Sequence, residues 1–166
     1  PCPCGYYGDP THRCVCTPGQ IQRYMNKISG PLLDRIDIQC EISPVPFKDI
    51  SKAAPGEPSA RIRERVIRAR EIQAERFKDF KGIHCNAQMT ERMIHQFAEP
   101  TEEGINLLRM AMEKLSLSAR AYNRILKVAR TIADLAGSQQ IEPQHLAEAI
   151  GYRTLDRGDW AERGHF

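Results

Sequence analysis

The chain has 166 residues, 41% of them hydrophobic and 27% charged, with a formal net charge of +3. That is the make-up of a globular protein with one ordinary domain, or a small domain with an appendage. No apolar run approaches the ~20 residues needed to cross a membrane, no charged-then-apolar leader points to secretion, and the mild basicity permits nucleic acid without demanding it.

The chain starts at Pro1 and runs straight into a Cys/Pro/Gly stretch, so it is expected to be cut from a larger protein. Residues 1–16, PCPCGYYGDPTHRCVC, read as an irregular loop. Thr17 is placed to cap a helix, with Pro18 at its first position and Gln20 three residues on, and that helix is expected to reach about Lys27. After Ser29-Gly30-Pro31 a short turn spans Leu32 to Arg35. Ile36, Ile38, Cys40 and Ile42 then alternate with Asp37, Gln39 and Glu41, which predicts a strand over 36–42 whose pairing partners lie elsewhere. Residues 43–58, with Pro44, Pro46, Pro55, Gly56 and Pro58, read as a linker.

From Ser59 onward the pattern is helical. Ile62, Val66, Ala69, Ile72, Phe77 and Phe80 predict the inner face of a long helix. A short helix is expected from Thr90 to Phe97. Thr101 is placed to cap a third, with Ile105, Leu108, Met112 and Leu115 inward. Ser118 opens a fourth, with Tyr122, Ile125, Leu126, Ala129, Ile132 and Ala136 at helical spacing and a stop at Gly137. Pro143 opens a last helix through Ile150, and residues 152–166 read as a loosely docked tail. The fold class is therefore mainly α, a small helical bundle carrying one strand and a cysteine-rich N-terminal loop.

Four groups of residues could carry chemistry. Cys2, Cys4, Cys14 and Cys16 put four thiols in one short loop, a donor set suited to a tetrahedral Zn²⁺; His12 could replace one thiol, and free thiols, disulfides or an iron–sulfur cluster are the alternatives. Arg35 lies on a turn before the predicted strand, where the residues alone suggest a surface arginine paired with Asp34 or Asp37. Arg120 falls in the first turn of its helix, where a cation opposes the macrodipole, and Arg124 follows one turn later on the same side. Lys127 and Arg130 read as a solvated basic face. The long helix is rich in arginine, from Arg61 to Arg76, and could touch nucleic acid or simply be solvated. Cys40, Cys85, His84 and His95 read as structural. No G-x-x-x-x-G-K-[ST] loop and no apolar run ending in Asp-Glu is present.

The strings PCPCGYYGDP, CTPGQIQRY, KISGPLLDRIDI and LSARAYNRILKVARTIADL resemble the C-terminal part of the magnesium-chelatase-like AAA+ family, the ComM/YifB group. The resemblance runs from Pro1 to about Trp160. It implies that residues 1–45 are the end of an α/β ATPase core, 46–58 a linker, 59–151 the helical lid that closes over nucleotide, and 152–166 a tail. It implies that Arg35 is an arginine finger aimed at the γ-phosphate held by a neighbouring subunit and that Arg120 is the second sensor, with Arg124 beside it on the nucleotide side. ATP and Mg²⁺ would be bound by a core upstream, so this chain alone is expected not to hydrolyse ATP. The family further implies a cytoplasmic homo-oligomeric ring, a hexamer, acting on DNA in uptake and recombination by branch migration. A chelatase subunit proper, or a stand-alone zinc-containing helical module that binds nucleic acid, are the other readings.

Overall fold

Hydroxyl side chains cap the starts of four helices, and those positions follow the sequence closely. The computed structural model describes residues 2–40, 42, 45, 47–51, 55–115 and 117–153. Helix α1 spans Pro18–Met25; Thr17 accepts from the Gln20 N–H and its own N–H donates to Gln20 Oε1, which closes the capping box. Helix α2 is the single turn Gly30–Leu33 and α3 the short Phe47–Ser51. Helix α4 runs Ser59–Phe77 and α5 Glu91–Phe97, the latter capped by Thr90. Helix α6, Glu102–Lys114, is capped by Thr101, and α7, Ala119–Ala136, by Ser118. Helix α8 is Pro143–Gly151, with the His145 ring accepting from the Glu142 N–H at 3.0 Å. Gly137 ends α7 in the left-handed region at φ 70°, and the Ser138 N–H reaches back to the Ala133 carbonyl at 2.9 Å.

Helix α7 is the spine of the bundle. It packs against α4, α5, α8 and a 3₁₀ turn at Asn86–Gln88, while α6 packs on α8. Its inner face is mostly small: Ala121, Ala129 and Ala133 are fully buried beside Ile125 and Leu126, so neighbouring backbones come close. Phe77, Phe80 and Phe97 meet edge to face with centroids 5.7–6.5 Å apart and close one end of the core. Gly104 lets α6 approach α8, because a Cβ there would sit 2.7 Å from Leu146 Cδ1. Among the described residues no helix is long and apolar enough to cross a membrane.

Five expectations change. No strand forms over 36–40, and Glu41 lies outside the described residues. A strand needs a ladder, whereas the N–H groups of this segment reach a local turn carbonyl, Ile36 to Leu33 at 3.0 Å, and the end of α8, Gln39 to Tyr152 at 3.0 Å; Ile38 and Ile42 are exposed. The long helix stops at Phe77, and Ile62, Val66 and Ile72 on it are partly exposed; its buried stripe is Ala69, Gln73 and Phe77. The expected linker contains α3, while positions 52–54 lie outside the described residues. Arg130, expected on a solvated face, is 3% exposed. The tail does not simply trail away: Arg153, its second residue, is buried, and positions 154–166 lie outside the described residues.

Arg130 is buried because it belongs to a polar network inside the bundle. Asp134, with no side-chain exposure, accepts from Arg76 at 2.5 and 2.7 Å, from Arg130 Nε at 3.1 Å and from Asn86 Nδ2 at 2.8 Å. Arg130 also donates to the Ser138 and Gln139 carbonyls at 2.6 and 2.8 Å, closing the C-terminal end of α7. Asn86 Nδ2 further donates to Thr131, and its N–H to Gln73 Oε1, which explains the glutamine in the buried stripe of α4.

Candidate functional site: a cysteine cluster and an arginine junction

Two local constructions stand out. The first is the N-terminal loop. Cys2, Cys4, Cys14 and Cys16 bring their sulfurs within 4.8 Å of one another. Cys2 lies 3.3 Å from Cys4 and 3.6 Å from Cys14, and Cys4 lies 3.6 Å from Cys14. A Zn–S distance of ~2.3 Å gives a ZnS₄ tetrahedron with edges of about 3.8 Å, so the donors are already close to that shape. All four are free thiols. The Tyr6 and Val15 N–H groups point at Cys4 and hold its thiol down to about 6, whereas burial, then the Cys4 and Cys2 sulfurs, push Cys16 up to about 12. Four sulfurs this close cannot all ionise without a cation among them, and a divalent ion would reverse that opposition. The donor set therefore fits a structural zinc. His12 is not part of it: its ring stacks on Tyr6 at 4.8 Å and its Nδ1 lies 2.9 Å from the Thr11 hydroxyl.

The second construction is the junction between the turn at 34–39 and the helical bundle. Ser118, which caps α7, donates to Asp34 at 3.4 Å. Arg124, one turn into α7, forms an ion pair with Asp37. Arg153, just past α8, donates to the Ile36 carbonyl at 2.5 Å and the Asp34 carbonyl at 3.3 Å, and its guanidinium lies 3.9 Å from the Asp34 carboxylate. Both acids flanking Arg35 are thus engaged by other residues. The Arg35 side chain is exposed and makes no hydrogen bond or ion pair among the described residues. The same is true of Arg120, in the first turn of α7, where no acidic residue is present to offset it. A cleft of about 490 Å³ opens beside Arg120, lined also by Asp37, Ile38, Arg124, Lys127 and Tyr152 among others. Lys127, at its wall, donates to the Ala87 carbonyl at 2.9 Å; burial, then the Arg124 charge, lower its pKa.

The structure thus brings Arg120, Arg124 and the turn bearing Arg35 to one junction and keeps the four cysteines together as a separate loop. Arg153 was missed by the sequence reading. Its only sequence signal is an arginine directly after the last helix, which resembles an ordinary helix-end cation.

A family profile described as magnesium chelatase, subunit ChlI C-terminal, matches residues 56–153, and a second, magnesium chelatase, subunit ChlI, matches residues 1–50. The chain belongs to the magnesium chelatase ChlI C-terminal family. Within this family it resembles the ComM/YifB group. It is 44% identical over 158 residues to Competence protein ComM of Haemophilus influenzae, and equally so to the uncharacterized protein YifB of Escherichia coli; both alignments cover 95% of the chain and 30% of the relative. An uncharacterized protein of Mycobacterium tuberculosis is 35% identical over 153 residues, covering 92% of the chain and 30% of the relative. The chain therefore spans about 30% of the length of the curated relatives it matches. The first family match begins three residues before α4 and takes in the whole bundle; the second takes in the cysteine loop and the Arg35 turn.

Proposed function

We propose that the chain is the C-terminal part of a ring-forming AAA+ ATPase, with Arg35 as the arginine finger and Arg120 as the second nucleotide sensor. One observation carries the reading. The acids beside Arg35 are taken by Arg124, Arg153 and Ser118, while the side chains of Arg35 and Arg120 have no partner among the described residues and project from the same junction. An arginine kept for local structure would use the carboxylates within its reach. These two are left available to an anion supplied from outside the bundle.

The chemistry suits that arrangement. In phosphoryl transfer the charge spreads over the γ-phosphate oxygens, and a planar guanidinium can donate to two of them at once. Arg35 would reach the nucleotide of a neighbouring subunit and Arg120 would approach from the lid, with Arg124 steadying the turn through Asp37. A core upstream would bind ATP with Mg²⁺. This chain contains no phosphate-cradling loop of the G-x-x-x-x-G-K-[ST] form, so hydrolysis is assigned to the longer protein. Zn²⁺ at Cys2, Cys4, Cys14 and Cys16 would hold the N-terminal loop in shape, a structural role with no step in the reaction. The ring is taken to be a homo-hexamer in the cytoplasm that remodels DNA by branch migration. The competence name of the Haemophilus relative supports this role.

The test is ATP hydrolysis by the full-length protein. Arg35→Ala and Arg120→Ala should each lower kcat by about a hundredfold or more, since such groups are worth ~10³–10⁵ in rate. Activity within about twofold of wild type in either variant removes that residue from its assigned role.

A second reading, a zinc-containing helical module that binds nucleic acid independently, is favoured by the exposed Arg61, Arg63, Arg68 and Arg70 of α4. Salt-dependent binding of duplex or single-stranded DNA by this chain alone would support it. No binding at low salt would remove it. The family description itself favours a third, a magnesium chelatase subunit.

A further inference from the structure

Arg153 is a very expensive residue to place where it is. At 1% exposure it heads the fully buried side chains, and it carries a full charge. What it holds is not another helix but an irregular, largely exposed turn. Its two terminal nitrogens donate to the Ile36 and Asp34 carbonyls, the main-chain groups on either side of Arg35. The Asp34 carboxylate supplies the opposite charge at 3.9 Å. One position earlier, the Tyr152 carbonyl accepts from the Gln39 N–H at 3.0 Å, so the end of α8 grips the turn at both ends. Arg153 is anchored in turn: its own N–H closes the helix end on the Ile150 carbonyl at 2.9 Å.

We propose that Arg153 is a positioning residue for Arg35: its forked guanidinium fixes the main chain on both sides of Arg35 and so sets the direction in which that side chain leaves the turn. The proposal rests on reading Arg35 as the arginine finger. A fork with parallel donors can span two carbonyls; a lysine ammonium is a point charge and cannot hold both in one plane. The α8 end of the lid and the finger are thereby one rigid piece. Any shift of α8 relative to α7 is passed to residue 35, and a displacement near 1 Å at a reacting group can cost about a hundredfold in rate.

The experiment uses the full-length protein and two measurements. The first is amide hydrogen exchange. Arg153→Lys should speed exchange at residues 34–39 by about tenfold or more while the amides of Ala129–Ala133 in α7 stay protected, which also shows that the bundle is folded. Asp34→Asn, at the exposed side of the clamp, should loosen the same amides by a smaller factor without touching the core. Unchanged exchange at 34–39 in both variants overturns the proposal. The second is ATP hydrolysis. Arg153→Lys should lower kcat about tenfold with KM for ATP within about twofold, and in an Arg35→Ala background it should change kcat by less than about twofold. A loss of the same size in both backgrounds overturns the proposal, because Arg153 would then act on the fold at large and not through Arg35. A wild-type protein that hydrolyses no ATP overturns the ATPase reading and the finger role with it; the exchange result still decides whether Arg153 holds the turn.

Discussion

Asp134 is the residue whose loss should damage the bundle most. Its carboxylate is fully shielded and is the common counter-charge of Arg76 and Arg130, whose side chains are 13% and 3% exposed. Asp134→Ala would strand two guanidiniums in the interior. Breaking a buried ion pair from one side costs about 3–5 kcal/mol, a large part of a domain stability of about 5–15 kcal/mol. For a bundle of about 100 residues, each kcal/mol moves Tm by about 4–8 °C, so a fall of about 12–40 °C is expected. Thermal unfolding followed by circular dichroism, with urea denaturation as a check, measures it. The charge argument has a second consequence. Asp134→Ala combined with Arg76→Met should be more stable than Asp134→Ala alone, since one stranded cation is gone; a simple cavity would show no such recovery. A single-variant loss below about 1 kcal/mol, or no recovery in the double variant, would refute the reasoning.

Three further outcomes are expected. Chelation of the reduced protein should release close to one equivalent of Zn²⁺ and disorder residues 2–16 while the helical circular dichroism changes little; less than half an equivalent by metal analysis counts against the four-thiol site. Gly104→Ala gains ~1 kcal/mol in helix propensity but drives a Cβ to 2.7 Å from Leu146 and 3.1 Å from Pro100, an overpacking of about 1–3 kcal/mol, so a net loss near 1 kcal/mol is expected and a denaturation midpoint at or above wild type rejects it. The Thr11 hydroxyl, then the Thr11 and His12 N–H groups, hold the Asp9 carboxyl down to about 2. A depressed acid stabilises above its unfolded value, so the Asp9 turn should be intact above pH ~4 and weaken as pH falls toward 2; a carboxyl-carbon NMR titration with a midpoint near 4 would contradict it.

Much of this molecule was readable from its sequence. Helix starts at Thr17, Thr90, Thr101 and Ser118 and the stop at Gly137 are local events, set by hydroxyls and one glycine within four residues of the bonds they make. The cysteine loop is local too: its four donors lie within fifteen residues of one another, so clustering in sequence becomes clustering in space. What the sequence could not show was how distant charges pair. Arg76 meets Asp134 across 58 positions, Arg124 meets Asp37 across 87, and Arg153 reaches Ile36 across 117. Alternation at 36–40 suggested a strand because period two reports which way side chains point, while a strand exists only if a neighbouring backbone completes the ladder. Here the Arg153 guanidinium engages the Ile36 carbonyl of that segment instead. Tertiary packing alone decided that Arg130 and Arg153 are buried, that Arg124 is half-buried against Asp37 and that Arg35 and Arg120 are left facing outward, because an arginine's role depends on which acceptors the fold brings within about 3 Å of it.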